Sequence, residues 1–374
     1  MTGRGAAWDA VAADGTDPAL LARVVTLSHD ADGRRAVRAA FADRGLLAGV
    51  ATDLLPAPSP AQQAAGAATS DAWRRLEVRV ALRGDPAWPV RLDLLGVPPP
   101  WIAWRGPQRL PSRPAVALVG ARRATSYGTG VAAWLAEAAA EAGATVVSGG
   151  AVGIDAAAHE AAADHATTVV LGCGHDVPYP RPHARRGGLF DRVLEGGGAI
   201  LSEVLPGTQP RPGHVRARNR LVAALAEVVV VVEGGPTSGA LVTASEAADI
   251  GVDVLAVPGD VRAPGSAAPH RLLAEGAGVC AGPDDLLAAL GATATTTGDG
   301  TGVDTGAVAM LPPAVAAVLA RAWPRPLRPD QIADRAGVGI GTVLAAVTRA
   351  RVAGVVAASA EGVRLRRAPD RVVT

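Results

Sequence analysis

The chain has 374 residues, long enough for two or three domains, and its 49% hydrophobic and 19% charged residues are typical of a globular protein with a substantial core. The net charge of +1 does not indicate a polyanionic partner, but all 36 basic residues are arginine, so any phosphate held by a side chain would be held by a guanidinium. The two cysteines, Cys173 and Cys280, exclude a disulfide framework and a zinc ribbon. Residues 1–9 lack the pattern of a signal sequence and no apolar run reaches the length of a membrane span, so we expect a cytoplasmic protein.

The first 55 residues are predicted to be helical. Apolar residues recur at three- and four-residue spacing within 18–27 and 34–47, which indicates two to four short helices. Residues 56–70 are rich in Ala, Pro, Gln, Ser and Gly, a composition typical of a linker. We therefore expect a helical N-terminal domain plus linker over residues 1–70.

Two strands are predicted before the main domain. The apolar residues of 76–82 alternate with polar or small ones, which is the period-two pattern of a strand. A short apolar run at 101–104 lies between prolines, and it is predicted to be a further strand or an extended arm that leads into the sheet.

Between about 113 and 290 the pattern alternates between strand and helix, which predicts right-handed crossovers and a mostly parallel sheet covered on both faces. The strand segments are continuous Val/Leu-rich runs, as expected when both faces are buried. Strands are expected near 116–120, 144–148, 168–172, 198–202, 228–232 and 253–257. Helices are expected near 128–142, 154–164, 216–226 and 239–250. The predicted fold is an α/β, extended Rossmann-like, doubly wound domain over residues 71–290.

The last part of the chain is predicted to be a tether and a small domain. Residues 291–308 are almost wholly Gly, Ala, Thr, Val and Asp, which is typical of a flexible linker. Within 309–374, three helices and two short strands follow in the order of a winged helix-turn-helix. Its basic residues permit DNA contact, but such modules also bind proteins, and both possibilities stay open. These basic residues are Arg349, Arg351, Arg364, Arg366 and Arg367.

Three predicted strands end in turns of small residues, which favours ligand binding at the carboxyl edge of the sheet. The turns are Gly120-Ala121-Arg122-Arg123, Ser148-Gly149-Gly150 and Thr237-Ser238-Gly239. Free backbone N–H groups and the positive ends of the following helices favour anions there. The alternative is a set of tight strand-to-helix turns with solvated arginines and capping hydroxyls.

A fourth candidate is the predicted helix that carries Arg216, Arg218, Asn219 and Arg220. Guanidinium groups and an amide at a helix start suit a phosphodiester chain, whereas the alternative is a surface helix paired with acids. The next acid along the helix is Glu227, too distant from these arginines for good pairing within the helix, so we favour anion binding.

Other sites fit the sequence poorly. Gly128-Thr129-Gly130 matches a dinucleotide fingerprint but lies too far after its strand, and the expected ribose-binding acid is absent. Asp155 and His159 are one turn apart, and a helix cap with a buried histidine is favoured over a proton-transfer pair. Ser238 lacks the surroundings of a nucleophile. We therefore expect no catalytic residue, no metal and no cofactor.

Taken together, these motifs resemble those of the DprA/Smf family, the DNA-processing proteins of bacterial natural transformation and competence. The resemblance covers most of the chain and depends on eight segments in the family's order. These are Gly84-Asp85-Pro86-Ala87-Trp88-Pro89, Val119-Gly120-Ala121-Arg122, 148–159, Tyr179-Pro180, Ser202-Glu203, Arg218-Asn219-Arg220, 238–244 and Val257-Pro258-Gly259.

The resemblance implies a protein that binds and protects single-stranded DNA, forms a homodimer, and loads the recombinase RecA onto the DNA without catalysing a reaction. It implies an N-terminal helical domain, an extended Rossmann-like domain and often a C-terminal winged helix. The candidate nucleic-acid-binding residues, from the motifs and their neighbours, are Gly120, Arg122, Arg123, Ser148, Gly149, Gly150, Arg216, Arg218, Asn219, Arg220, Ser238 and Gly239.

Three departures from the family pattern bear on binding. Val215-Arg216 replaces the usual Phe-Pro, the family's lysines near the site are absent, and the loop at 181–188 is longer and more basic. Because Tyr127 and Tyr179 are the aromatic residues expected near the site, we predict contacts along the DNA backbone with little base stacking.

An enzyme of the LOG class, a nucleotide phosphoribohydrolase, or a nucleotide-sensing protein would use the same type of sheet. A LOG-class enzyme has a catalytic glutamate just behind a glycine-rich turn. In this chain Glu233 precedes the glycines and Glu246 lies well after them, so the catalytic alternative fits less well.

Overall fold

The computed structural model describes residues 5–44, 55–110, 114–177, 179–291, 311–322, 326–352, 356–359 and 362–365. Four helices form the N-terminal region, and the apolar spacing at 18–27 and 34–47 predicted the second and third of them. They are α1 (Gly5–Asp9), α2 (Pro18–Leu27), α3 (Ala31–Arg44) and α4 (Pro60–Arg75).

The linker prediction for 56–70 is wrong, because most of that stretch belongs to α4. Ser59 caps the helix by accepting a hydrogen bond from the backbone N–H of Gln62, and the Gln62 side chain accepts one from the Ser59 N–H. Pro60 stands at the first helical position, where its missing N–H costs nothing. The helix extends to Arg75 and so crosses the domain boundary expected at residue 70.

A nine-stranded sheet forms the centre of the molecule, with the strand order β1-β2-β6-β5-β4-β3-β7-β8-β9. The two strands that precede the main domain pair antiparallel to each other, and β2 is antiparallel to β6; the remaining pairs are parallel. The strands are β1 (Arg79–Leu82), β2 (Trp101–Arg105), β3 (Ala115–Val119), β4 (Thr145–Ser148), β5 (Thr167–Val170), β6 (Ala199–Ser202), β7 (Val228–Val231), β8 (Asp253–Ala256) and β9 (Gly278–Val279). The expected α/β Rossmann-like fold is confirmed.

Within the parallel part of the sheet, the chain builds outward from β3 in both directions. From β3 it passes to β4, β5 and β6 on one side, and it then returns to place β7 on the other side of β3. A crevice opens outside the carboxyl ends of strands at such a switch point, because the crossover helices leave the edge in opposite directions.

Helices cover both faces of the sheet, and the strands alternate between the two cores. Val116 and Leu118 of β3 pack with the alanines of α5 on one face, whereas Ala117 and Val119 pack against α9 and α10 on the other. The helices are α5 (Ser126–Glu141), α6 (Ile154–Ala161), α7 (Arg181–Ala184), α8 (Leu189–Glu195), α9 (Pro212–Leu225), α10 (Gly239–Asp249), α11 (Ala267–Ala274) and α12 (Pro283–Ala289), with 3-10 turns at Val90–Leu94 and Pro264–Ser266.

The N-terminal helices share a core with the first two strands. Trp73 of α4 lies edge-on to Trp8 and to Trp101 of β2, with ring centroids 6.4 and 5.4 Å apart. Val80 of β1 also forms an isolated parallel bridge with Ala12. The helices therefore extend the hydrophobic interior of the sheet at its antiparallel edge.

The C-terminal region contains three helices and a hairpin, which are α13 (Pro313–Ala322), α14 (Pro329–Ala336), α15 (Ile340–Val352), β10 (Val356–Ser359) and β11 (Gly362–Leu365). Leu327, between α13 and α14, pairs with Val363 of β11 through two backbone hydrogen bonds of 2.9 and 2.8 Å. The tether expected at 291–308 lies outside the described residues except for Gly291, and Arg366 and Arg367 lie outside them entirely.

In the part of the chain that the structure describes, no helix combines the length and the apolar character that crossing a bilayer requires.

Candidate nucleic-acid interface

A cleft of about 720 Å³ opens at the switch point, outside the carboxyl ends of β3, β4 and β7. Its walls are the turns that follow these strands and the first half of α9. Five arginines line it, and we call it the arginine cleft after them: Arg122, Arg123, Arg211, Arg216 and Arg218. A concentration of guanidinium groups at this edge favours an anionic ligand.

The turn after β3 presents Arg122 and Arg123 to solvent. Its far end is held by Glu233, whose carboxylate accepts hydrogen bonds from the backbone N–H of Thr125 at 2.9 Å and from the Thr125 hydroxyl. Thr125 in turn caps α5 by accepting a hydrogen bond from the N–H of Gly128 at 3.1 Å. The two arginines thus extend from a turn whose backbone is fixed by a buried carboxylate.

The turn after β4 makes room for an arginine from α9. A Cβ at Gly149 would lie 1.7 Å from Nη1 of Arg218, so the absence of a side chain there allows the guanidinium to cover the turn. Ser148 is fully buried and donates its hydroxyl to the carbonyl of Leu118 at 2.6 Å. Gly150 has a φ of +67°, a conformation that favours glycine. Gly149 lines the arginine cleft, whereas Ser148 and Gly150 shape the turn behind it.

Arg218 lies on the floor of the arginine cleft with 6% of its surface exposed. Within the described chain its Nε has no hydrogen-bond partner. Burial lowers the pKa of Arg218, and the nearby carboxyl of Asp155 opposes that shift. An arginine that is buried beside a cleft with donor capacity to spare is suited to binding an anion that enters.

The other polar residues of α9 differ in their surroundings. Arg216 is exposed in the arginine cleft, and Asn219, which also lines it, donates from Nδ2 to the carbonyl of Gly239 at 3.2 Å. Arg220 does not line the cleft, because its guanidinium forms an ion pair with Glu203 at the end of β6. The sequence indicated poor pairing within the helix, and the acid that pairs with Arg220 comes instead from the residue that follows β6.

A buried arginine holds the opposite end of α9. Arg91 donates from Nε to the carbonyl of Ala224 at 3.0 Å and from Nη2 to that of Ala226. Its Nη1 lies 3.2 Å from Oε1 of Glu227. The helix is thus fixed at its carboxyl end, where a cation also complements the helix dipole.

The turn after β7 contributes hydroxyl and backbone groups. Ser238 caps α10 by accepting a hydrogen bond from the N–H of Ala240 at 3.2 Å, and Ser238 and Gly239 both line the arginine cleft. The Thr243 hydroxyl donates to the carbonyl of Gly239 at 3.5 Å. The turn has the capping geometry that the sequence favoured over a nucleophile.

The pair of Asp155 and His159 does not form a proton relay. His159 is fully buried and its Nδ1 hydrogen bonds to the Thr167 hydroxyl at 2.9 Å. Burial lowers the pKa of His159 to about 3, so it is neutral near pH 7. Asp155 instead accepts a hydrogen bond from the N–H of Ala151 at 3.2 Å and closes the turn after β4.

The two tyrosines are in different places. Tyr179 is exposed and lines the arginine cleft, whereas Tyr127 lies outside its lining and donates its hydroxyl to the carbonyl of Pro258 at 2.8 Å. The basic loop after Tyr179 is anchored to the turn after β4, since Nδ1 of His183 hydrogen bonds to the carbonyl of Gly150 at 3.0 Å.

Nine of the twelve candidate residues come together in the lining of the arginine cleft: Gly120, Arg122, Arg123, Gly149, Arg216, Arg218, Asn219, Ser238 and Gly239. Ser148, Gly150 and Arg220 do not. Sequence reasoning missed Arg211, which directly precedes the Pro212 that begins α9 and so stands at the N-cap. The Arg-Pro pair before an Arg-rich helix was a usable signal. Sequence reasoning also missed that Asp155 lines the cleft. No pattern in the sequence indicated this position.

Comparisons with known proteins show which family the chain resembles. Residues 79–291 match the model of the family described as DNA recombination-mediator protein A. A DNA processing protein DprA from Mycobacterium tuberculosis is 39% identical over 205 residues, which cover 54% of this chain and 52% of the relative. The chain thus spans about half the length of this curated relative.

Two solved structures share the fold. DNA processing protein A from Streptococcus pneumoniae has 29% identity and a TM-score of 0.58, with 73% of this chain and 98% of that chain covered. DNA processing protein A from Helicobacter pylori, whose structure describes a single-stranded DNA binding mode, has 29% identity and a TM-score of 0.51, with 57% and 95% covered. The chain therefore belongs to the DNA recombination-mediator protein A family, which is the DprA/Smf family that its motifs resemble.

Proposed function

We propose that this protein binds single-stranded DNA through the arginine cleft. The observation that carries the proposal is the convergence of five arginines from two separate segments on one cleft at the switch point of the sheet. The DNA-binding structure of the Helicobacter pylori relative supports the same ligand. The contributing segments are the turn after β3 and α9 with its N-cap residue.

The bound strand would be held mainly through its phosphates. Exposed Arg122, Arg123 and Arg216 are free to follow a flexible backbone, while Arg218 offers a fixed guanidinium on the floor. Tyr179 is the aromatic residue in the lining, so base stacking contributes little. Binding of this kind depends weakly on sequence and strongly on salt, because it releases counterions from the phosphates.

The candidate residues divide into two roles in this proposal. Those in the lining contact DNA, whereas Ser148, Gly150 and Arg220 hold the contacting groups in place. Ser148 ties the turn after β4 to β3, and Arg220 ties α9 to the end of β6. This division is a consequence of burial and pairing, which leave these three groups no free surface in the cleft.

The wider role we propose is that of a non-enzymatic recombination mediator, which protects incoming single-stranded DNA and loads RecA onto it as a homodimer during natural transformation. Family membership supports this role. A coupled assay tests it, because RecA hydrolyses ATP when it assembles on DNA. Added protein should speed ATP hydrolysis on oligothymidine, and a mass measurement in solution should give twice the chain mass. Unchanged hydrolysis would remove the RecA step from the proposal.

We assign the DNA-binding domain expected at 71–290 to the residues that follow α4, since that helix ends at Arg75 and belongs to the helical domain; residues 309–374 are assigned as a winged helix. The pairing of Leu327 with Val363 supports the last assignment. Leu327 lies between the first and second helices of this region, and it pairs with the hairpin as a third, one-residue strand. A winged helix has its first strand at this place in the chain.

The principal test is a titration of labelled oligothymidine by fluorescence anisotropy, against a duplex of equal length and across a salt series. We expect tighter binding of the single strand and a linear fall of log K with log salt. Arg216→Ala should reduce that slope by about 0.7, the value for one lost single-strand phosphate contact. Arg192→Ala is the matched control, since Arg192 pairs with Glu160 on the helical surface away from the cleft. An equal reduction of the salt slope in both variants, or tighter binding of the duplex than of the single strand, would contradict the proposal.

No observation favours the hydrolase alternative. Glu233 is engaged by Thr125, and neither Glu233 nor Glu246 lines the arginine cleft. Incubation with nucleoside monophosphates should leave them intact, and release of free base would overturn the non-enzymatic role.

A further inference from the structure

One carboxyl group lines the arginine cleft together with the five arginines: among the described lining residues, Asp155 is the acid. It is buried, with 8% of its surface exposed. A carboxylate in a cleft that is otherwise built to attract anions opposes part of that attraction, so its presence calls for a physical reason.

The surroundings of Asp155 come from three elements. Arg218 faces it from α9 and Arg122 from the turn after β3, and both favour the ionised carboxylate. Its own turn supplies the N–H of Ala151, which acts in the same direction. Burial raises the pKa of Asp155 against these influences. The next titratable side chain on the helix, His159, is neutral near pH 7 and adds no charge.

An ionised Asp155 offsets part of the positive charge of the nearby Arg218 before any ligand arrives. A buried guanidinium without such a partner would be costly in folding. The same carboxylate stays in place when a ligand binds, because the Ala151 N–H and the helix hold it at the floor. It repels any anion that approaches Arg218, and this repulsion grows in proportion to the charge of the anion.

We infer that Asp155 lowers the affinity of the arginine cleft for doubly charged phosphate monoesters, such as free nucleotides and terminal phosphates, more than it lowers the affinity for singly charged phosphodiester groups. The inference rests on the proposed binding of single-stranded DNA and names the phosphate class that Asp155 disfavours. A phosphodiester has one negative charge, whereas a monoester has between about 1.5 and 2 near pH 7. Asp155 thereby reduces the advantage that the arginines give to cellular nucleotides over the internal phosphates of a DNA strand.

The size of the effect follows from the Coulomb interaction. Even with the screening of bulk water, one unit of charge 4 Å from a carboxylate is disfavoured by about fivefold in affinity. The second charge of a monoester doubles the repulsion, so removal of the carboxylate should shift the ratio of monoester to diester affinity by about fivefold.

The test uses Asp155→Asn, which keeps the shape of the side chain and an oxygen that accepts from the Ala151 N–H. The full-length protein is loaded with labelled oligothymidine, and AMP and its 5′-methyl ester serve as competitors of two and one charges. We expect the inhibition constant of AMP to fall by about fivefold relative to that of the ester. Asp164→Asn removes an exposed acid outside the cleft lining and should leave the ratio unchanged.

The outcomes separate this inference from the proposed function. If the wild-type protein does not bind oligothymidine, the proposed function fails. If it binds, and the ratio of the two inhibition constants is the same in Asp155→Asn as in the wild type, the selectivity role is refuted while DNA binding stands. Asp155→Ser is measured in the same way if the asparagine variant does not unfold cooperatively, because it also removes the charge.

Discussion

Gly149→Ala is predicted to weaken DNA binding without preventing folding. The added Cβ would lie 1.7 Å from Nη1 and 2.5 Å from Cζ of Arg218, so the guanidinium has to leave the floor of the arginine cleft. The obstructing atoms are the far end of a flexible side chain, and Gly149 does not have a positive φ, so the backbone accepts alanine. The substitution thus moves the arginine rather than the turn.

The magnitude follows from the contact that is lost. A hydrogen bond to a charged group contributes about 1.5–3 kcal/mol, so we expect the Kd for oligothymidine to rise by about 10- to 150-fold. The free energy of unfolding changes less, because alanine restricts the unfolded chain and so stabilises the folded protein by about 0.4–1 kcal/mol. Against this stands a cost of at most about 3 kcal/mol for leaving Asp155 with a displaced partner.

Anisotropy titration and urea denaturation measure the two effects separately. Gly130→Ala is the matched control, since Gly130 lies on the exposed side of α5 with open space around it, and its Kd should be that of the wild type. A Gly149→Ala protein that is folded and binds oligothymidine with wild-type affinity would refute the contact between Arg218 and DNA.

Three further predictions concern stability and the C-terminal region. Arg91→Met should lower the free energy of unfolding by about 3–5 kcal/mol in urea denaturation, because the largely buried Glu227 loses its ion-pair partner; a smaller loss would show that the pair is dispensable. Burial lowers the pKa of His159 to about 3 and of His175 to about 4, so below pH 6.5 only the unfolded chain takes up these protons. As the pH falls from 6.5 to about 4, the free energy of unfolding should therefore decrease by about 1.4 kcal/mol per pH unit for each histidine. His159→Gln should reduce this dependence on pH. Removal of 309–374 should leave oligothymidine affinity unchanged, and a large loss would place DNA contacts in that region.

The main sheet could be predicted because its pattern is local. The strands from β3 to β8 are short, mostly apolar runs, and β3, β4 and β7 end at turns of small residues, a local pattern that favours strands. Helix α4 shows the limit of composition as a guide. Its stretch has the residues of a linker, but the Ser59 and Gln62 pair at its start is a capping box that local inspection could have found.

The arginine cleft was predicted in outline but not in its details. The sequence predicted that the turns after β3, β4 and β7 lie close together, because the carboxyl ends of parallel strands meet at one edge of the sheet. The pairing of Arg220 with Glu203 could not be predicted from spacing along a helix, since the acid comes from β6 and meets α9 only after the sheet has formed. The same holds for Arg218 and Gly149, whose contact joins two distant segments.

The tryptophan group at the antiparallel edge has a practical consequence. Trp73 of α4 lies between Trp8 and Trp101, so two aromatic contacts link the start of the chain to a strand of the sheet. A protease cut or truncation that released the first helices would bring indole rings into water and shift their fluorescence to longer wavelength. The protein thus contains its own optical reporter of whether its N-terminal helices remain attached.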